Sequence, residues 1–138
     1  MTDGITIQKK VERMREALKY LNNAREILKT ASIEDNIYTN VKSVQEACGT
    51  AYLAVLKAID EYLLNKGVDE KELPQSVEGY RKMLRKYASV HDGKLFNSFE
   101  ALYKELHISG YYRGNLRSVD TLRGALKTAK TFIEKTGS

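Results

Sequence analysis

Arg85 and His91 are the two residues of this sequence whose types and spacing best suit acid–base chemistry, with five residues (KYASV) between them. Imidazole exchanges a proton near neutral pH, and a neighbouring guanidinium would stabilise negative charge. His107 is the other histidine of the chain. Both histidines fall near the C-terminal ends of predicted helices, where the helix dipole favours a partly charged imidazole. Two interpretations therefore stay open, one polar site formed by His91 with Arg85, or two helix-end residues.

Basic and aromatic side chains that could bind an anionic partner recur in the C-terminal half. From residue 76 to 138 the chain has 12 basic and 6 acidic residues, against 11 basic and 12 acidic before it. Arginine and tyrosine together hold phosphate and stack on bases, and they bind acidic protein surfaces equally well. The alternative is that the tyrosines pack against the end of the fold and the arginines stay solvated. The candidate binding residues are Arg81, Arg85, Lys86, Tyr111, Tyr112, Arg113 and Arg117.

Other reactive centres are not indicated. The single cysteine, Cys48, lies on an apolar helical stripe without a His or Asp at helical spacing, which predicts a buried thiol. One cysteine and two separated histidines do not form a zinc pattern, so we expect no metal. Asp60 and Glu61 are adjacent on a helix and point in different directions, which predicts a solvated face. Gly110 and Gly114 lack the pattern of a phosphate-binding loop, and we expect no cofactor.

The composition favours a helical protein of the cytoplasm. The chain has 138 residues with one proline, and we treat residues 1–138 as a single domain. One cysteine fits a reducing compartment. No apolar run approaches the length of a membrane span, and the N-terminus has no signal-peptide pattern. We therefore expect a cytoplasmic protein with no membrane association.

The stretch Asn36 to Leu64 must position these residues, because its apolar stripe is the longest in the chain. Val44, Cys48, Val55 and Ile59 recur at helical spacing, and small residues cluster near the middle. Small residues let neighbouring helices approach closely. The pattern predicts the central helix of a bundle.

The remaining stripes predict an all-α fold, an antiparallel four-helix bundle with the third helix broken in two. Ser32 to Asn36 is interpreted as a short helix–helix connection, and Ser109 to Asn115 as a loop. Asp92-Gly93 is a turn signal that breaks the third helix. No stretch alternates at period two, so no sheet is expected. The other helices are predicted at 7–31, from Ser76 to about His91, at 95–107 and at 117–135.

The order of these motifs resembles the HEPN domains, which are small bundles of four or five helices. The second helix carries AYLAVLKAIDEYLLNKG, a loop carries LPQS, and YYRGN precedes the last helix. The resemblance covers about residues 7–133. It implies a homodimer formed through the long helices and a nucleotidyltransferase-like partner protein. Some members cleave RNA with an Arg, four to six residues, then a His.

The catalytic motif of that family is matched only in its spacing. Arg85 and His91 have the spacing, but Lys86 stands where a small polar residue usually follows the arginine. Near the start of the last helix, where the family's motif lies, Arg113 is followed by Asn115 but by no histidine. We therefore expect a non-catalytic protein-interaction module. The alternatives are a ribonuclease using Arg85 and His91, or a nucleic-acid-binding accessory protein using the basic C-terminal half.

Overall fold

The computed structural model describes residues 2–88 and 93–137, and it describes their side chains except at positions 2–11 and 13–15. Helices dominate this part of the chain, as the sequence predicted, and a short antiparallel strand pair accompanies them. In chain order the elements are α1 (Thr2–Lys29), β1 (Ile33–Glu34), β2 (Ile37–Tyr38), α2 (Val41–Asn65), a 3₁₀ turn (Glu70–Glu72), α3 (Val77–Tyr87), α4 (Gly93–Leu102), a π-helical segment (Tyr103–Tyr112), hereafter the π segment, and α5 (Val119–Gly137).

Helix α2 is central, because α1, α5 and the π segment all pack against it. Its predicted stripe is confirmed from Val44 onward, with Val44, Cys48, Val55 and Ile59 fully buried. The helix begins at Val41 and not at Asn36, since the Asn40 side chain accepts hydrogen bonds from the first-turn amides. Its end follows the expected glycine pattern. Gly67 has φ +92°, and the amide of Val68 donates back to Leu63 O.

The connection between α1 and α2 is a hairpin and not the simple link that we expected. Ile33 pairs with Tyr38 and Glu34 with Ile37, around a two-residue turn at Asp35-Asn36. Both turn residues have positive φ, 50° and 62°, as a type I′ turn requires. Asp and Asn tolerate this conformation, whereas most side chains do not. The expectation of no sheet is thereby corrected.

The predicted third helix ends early, and a second one follows. Helix α3 ends at Tyr87, and α4 begins at Gly93. Ser76 caps α3 as predicted, accepting from the amide of Gly79 at 3.1 Å. The proposed break at Asp92 lies outside the described residues. Helix α4 continues directly into the π segment, so the loop predicted from Ser109 to Asn115 is helical as far as Tyr112.

Helix α5 closes the core. Its stripe of Val119, Leu122, Leu126, Ala129 and Ile133 is buried as predicted. The helix begins two residues later than expected, because Arg117 O and Ser118 pair with the hairpin instead. Among the described residues, no helix is both long and apolar enough to cross a membrane.

Candidate functional site

Helix α2 and the π segment pack closely against each other at two glycines. Gly110 faces Cys48, and a Cβ atom added at Gly110 would overlap the cysteine side chain. One residue along α2, a Cβ atom at Gly49 would lie 2.8 Å from Tyr111 Cδ1. Glycines at both positions therefore allow Tyr111 and the π segment to pack closely against α2. The sequence predicted that small residues on α2 let a neighbouring helix approach closely, and that neighbour is the π segment.

A row of aromatic rings crosses this contact. His107 lies 4.8 Å from the Tyr52 ring, 5.4 Å from Tyr103 and 5.7 Å from Tyr111, between ring centroids. Tyr52 in turn lies 6.5 Å from Phe99. The π segment brings residues 103, 107 and 111 onto one face. π-Helical turns are rare and often lie at functional sites.

Next to these rings α2 and the π segment form an open groove of about 470 Å³, hereafter the central groove. Its wall is mostly apolar, and Leu53 and Tyr111 are each 49% exposed. Of its described lining residues, Glu46 is the sole carboxylic acid, and none is a lysine or arginine. The lining residues are Gln45, Glu46, Gly49, Thr50, Tyr52, Leu53, Leu56, His107 and Tyr111.

Two groups beside the central groove are held in their neutral forms. Burial, and to a smaller extent the neighbouring Tyr103, raises the pKa of Tyr52 to about 12. Burial alone raises the pKa of the Cys48 thiol to about 12, so it is not a thiolate nucleophile at neutral pH. The buried thiol predicted from the sequence is confirmed. No ionised nucleophile is provided by either group.

Arg81, a predicted binding residue, is instead occupied by contacts within the fold. Its Nε donates to Glu100 Oε1 at 2.6 Å and its Nη1 to Glu78 Oε1 at 2.8 Å. Its guanidinium also lies 5.1 Å from the centre of the Tyr103 ring. These carboxylates raise the pKa of Arg81, chiefly through the hydrogen bond to Glu100. The side chain thus ties α3 to α4 and the π segment.

Of the catalytic pair considered from the sequence, only Arg85 is among the residues that the structure describes. The Arg85 guanidinium lies 4.9 Å from the centre of the Phe96 ring, across α3 and α4. His91 lies outside the described residues, so the pairing of Arg85 with His91 stays a prediction. Lys86 is exposed on α3, with its ammonium 5.3 Å from the Tyr87 ring centre.

The later candidates lie on different parts of the surface. Tyr111 lines the central groove, whereas Tyr112 is 69% exposed, with Arg113 at 5.8 Å from its ring centre. Arg117 is exposed beside the hairpin, where its carbonyl accepts from the amide of Tyr38. The structure therefore distributes these residues over several places.

Two residues were placed on the wrong kind of surface by sequence reasoning. His107 was interpreted as a helix-end residue, but it lies at the middle of the aromatic row. Asp60 was expected on a solvated face, but it is half-buried and accepts from the Tyr80 hydroxyl at 2.9 Å. Burial raises the pKa of Asp60, against the opposing effect of that hydrogen bond. Both assignments depend on partners more than 19 residues away in sequence, which no local pattern encodes.

A metal centre is not formed by the part of the chain that the structure describes. Within it, no group of three or more His, Cys, Asp or Glu side chains is placed to hold an ion. The central groove therefore offers apolar and aromatic surface and one imidazole. Such a surface binds by burial and stacking.

Comparisons with known proteins agree with this helical architecture. A solved protein of unknown function from Dyadobacter fermentans is 29% identical, with a TM-score of 0.78, over 93% of this chain and 95% of that one. No curated protein matches the chain. The model of a domain of unknown function, DUF5618, matches residues 12–137. Because that match spans most of the sequence, the chain belongs to the DUF5618 family.

Proposed function

We propose that the chain is a non-catalytic binding module, HEPN-like in its helical arrangement, that forms a homodimer in the cytoplasm through the central groove. The observation that carries the proposal is an exposed apolar strip on α2. Leu53 is 49% exposed and is flanked by Leu56, Tyr52 and Tyr111 in a groove without lysine or arginine. In a chain with 30% charged residues, such a surface is suited to burial against another protein.

A second copy of the chain is the occupant that we favour. The groove follows α2, so a two-fold axis near Leu53 would set two copies of this strip against each other. Homodimer interfaces are more apolar than other interfaces and are depleted in charge, as this groove is. The resemblance to HEPN domains supports dimerisation through the long helices. It also implies a nucleotidyltransferase-like partner, which is the competing occupant.

The proposal is tested by placing a charge in the groove. Leu53→Glu should convert a dimer into a monomer, since burying an unpaired carboxylate opposes association. Ile33→Glu is a matched control, because Ile33 is 46% exposed on β1, outside the groove lining. Light scattering after size-exclusion chromatography should give a dimer for the wild type and Ile33→Glu, and a monomer for Leu53→Glu. A monomeric wild type would remove the homodimer and leave a different protein as the occupant.

A ribonuclease and a nucleic-acid-binding accessory protein are the competing functions. The first requires Arg85 and His91 to meet around RNA, and cleavage would be lost in His91→Ala. The second requires binding that weakens steeply with salt. An RNA titration at low salt that shows no binding would exclude both.

A further inference from the structure

A second groove lies between α1 and α5, and unlike the central groove it is lined by basic side chains. It has a volume of about 430 Å³. Arg25 and Lys29 line it from α1, and Arg123 and Lys127 line it from α5. We call it the basic groove. The members of each pair are four positions apart in sequence, so they lie about 6 Å apart along one helix face.

The floor of the basic groove is apolar. Leu28, Tyr38 and Leu126 form it and are 7%, 3% and 4% exposed. The groove therefore combines an apolar floor with basic side chains on both sides. Surfaces of this kind match a ligand with an apolar face between two acidic edges.

Most of these cations have no acidic partner in the described part of the chain. Lys29 pairs with Glu26 at 2.8 Å, and both side chains are well exposed. No ion pair joins Arg25, Arg123 or Lys127 to a described carboxylate. Asp120, the acidic residue one turn before Arg123, accepts a hydrogen bond from Asn36 at 3.0 Å. The groove thus retains an excess of positive charge.

We infer that the basic groove binds an acidic amphipathic helix of a partner protein. A helix laid between α1 and α5 would place its apolar stripe on the floor, in the helix-in-groove mode. Acidic residues on either side of the stripe would then meet Arg25 and Lys29 on one wall and Arg123 and Lys127 on the other. The inference concerns α1 and α5 and does not depend on self-association through α2.

The floor favours a protein helix over nucleic acid. Single-stranded nucleic acid is bound by exposed aromatic rings on which bases stack. Tyr38, the only aromatic residue among the described lining residues, is 3% exposed and offers no open ring face. Leucine side chains on the floor bury apolar groups and do not provide a stacking surface.

The experiment uses the full chain and a designed probe, a labelled peptide of about 18 residues, or five helical turns. Leucines form one stripe of the peptide and glutamates flank it on both sides. Fluorescence anisotropy should show binding, and no binding should be seen when serines replace the leucines or lysines replace the glutamates. An absence of binding by the leucine–glutamate peptide overturns the inference.

The matched variants change the same charge in two places. The double variant Arg123→Glu with Lys127→Glu should weaken peptide binding by about ten-fold or more, because repulsion replaces attraction on one wall. Lys71→Glu with Lys82→Glu makes the same charge change at two exposed positions outside the basic groove. That control should change affinity by about two-fold or less, since these positions do not line the groove and salt screens charges more than about 10 Å from a ligand.

Two results would overturn the assignment even if the peptide binds. Equal losses in both double variants would show a response to net charge and not to the groove. A single-stranded oligonucleotide that binds more tightly than the peptide, with the same loss in Arg123→Glu with Lys127→Glu, would assign the groove to nucleic acid. The lysine peptide provides a measurement independent of protein folding, because it requires no change in the chain.

Discussion

The contact between the π segment and α2 and the contact between α3 and α4 depend on different interactions. Toward α2 the contact is steric, since Gly110 lies against Cys48 and Gly49 lies beneath Tyr111. Between α3 and α4 the contact is ionic, since Arg81 bridges Glu78 and Glu100 near the surface. The contact between α2 and the π segment leaves no room for an added methyl group, whereas the charged groups between α3 and α4 stay partly exposed to water.

The comparison shows where this fold tolerates change. A glycine packed closely against a neighbouring side chain is hard to replace, because any added atom displaces that neighbour. A partly solvated ion pair is replaced at small cost by water and counterions. The central groove lies beside the close-packed contact, since Gly49 and Tyr111 are among its lining residues.

The largest effect is expected from Gly110→Ala. The added methyl group would overlap Cys48, and overpacking of this kind costs about 1–3 kcal/mol of unfolding free energy. The matched control is Gly124→Ala on α5, where an added Cβ meets nothing within 4 Å. That change should stabilise the helix by about 0.5–1 kcal/mol. Urea unfolding of both variants measures the difference, and equal effects would refute the steric account of this contact.

A smaller effect is expected from the Arg81–Glu100 pair. The two side chains are 22% and 25% exposed, so we expect a coupling free energy of about 1 kcal/mol. A double-mutant cycle with Arg81→Gln and Glu100→Gln measures it by urea unfolding. The coupling should fall when salt is raised. A coupling of about 2 kcal/mol or more that does not fall with salt would erase the distinction between the two contacts.

The smallest effect concerns Asp60, whose pKa is raised by burial beneath α3. Because of the raised pKa, Asp60 keeps its proton in the folded state at pH values above about 3.9, where the unfolded state loses it. The unfolding free energy therefore falls as the pH rises through that range. Asp60→Asn keeps an acceptor for Tyr80 and removes the titration. The stability of the wild type relative to Asp60→Asn should therefore fall between pH 3 and pH 7. An opposite slope would show that the Tyr80 hydrogen bond outweighs burial.

The helices and their buried faces could be predicted from the sequence because each depends on local periodicity. Val44, Val55 and Ile59 share a face by spacing alone, and they are fully buried. The cap of α3 at Ser76 and the end of α2 at Gly67 follow equally local rules.

The hairpin and the π segment could not be predicted in this way. Asp35 and Asn36 favour helix caps as well as left-handed turns, and we interpreted them as part of a short helix–helix connection. Pairing with β2 decides between the two, and it is a tertiary contact. The π segment packs Gly110 against Cys48, and this contact joins residues far apart in sequence.

The candidate site was only partly visible for the same reason. Tyr111 was identified from its type, but His107 and Tyr52 meet across 55 residues of chain. Nothing in the sequence indicated that Arg81 pairs with Glu100, because that carboxylate lies on α4.

The central claim is that a second copy covers the central groove, and a single tryptophan tests it most directly. The chain has no tryptophan, so Leu53→Trp would report on this position alone. We predict that its emission shifts to shorter wavelength as protein concentration rises through the dimerisation range, whereas Ile33→Trp stays solvent-exposed. Emission from Leu53→Trp that remains typical of exposed indole at every concentration would contradict the account.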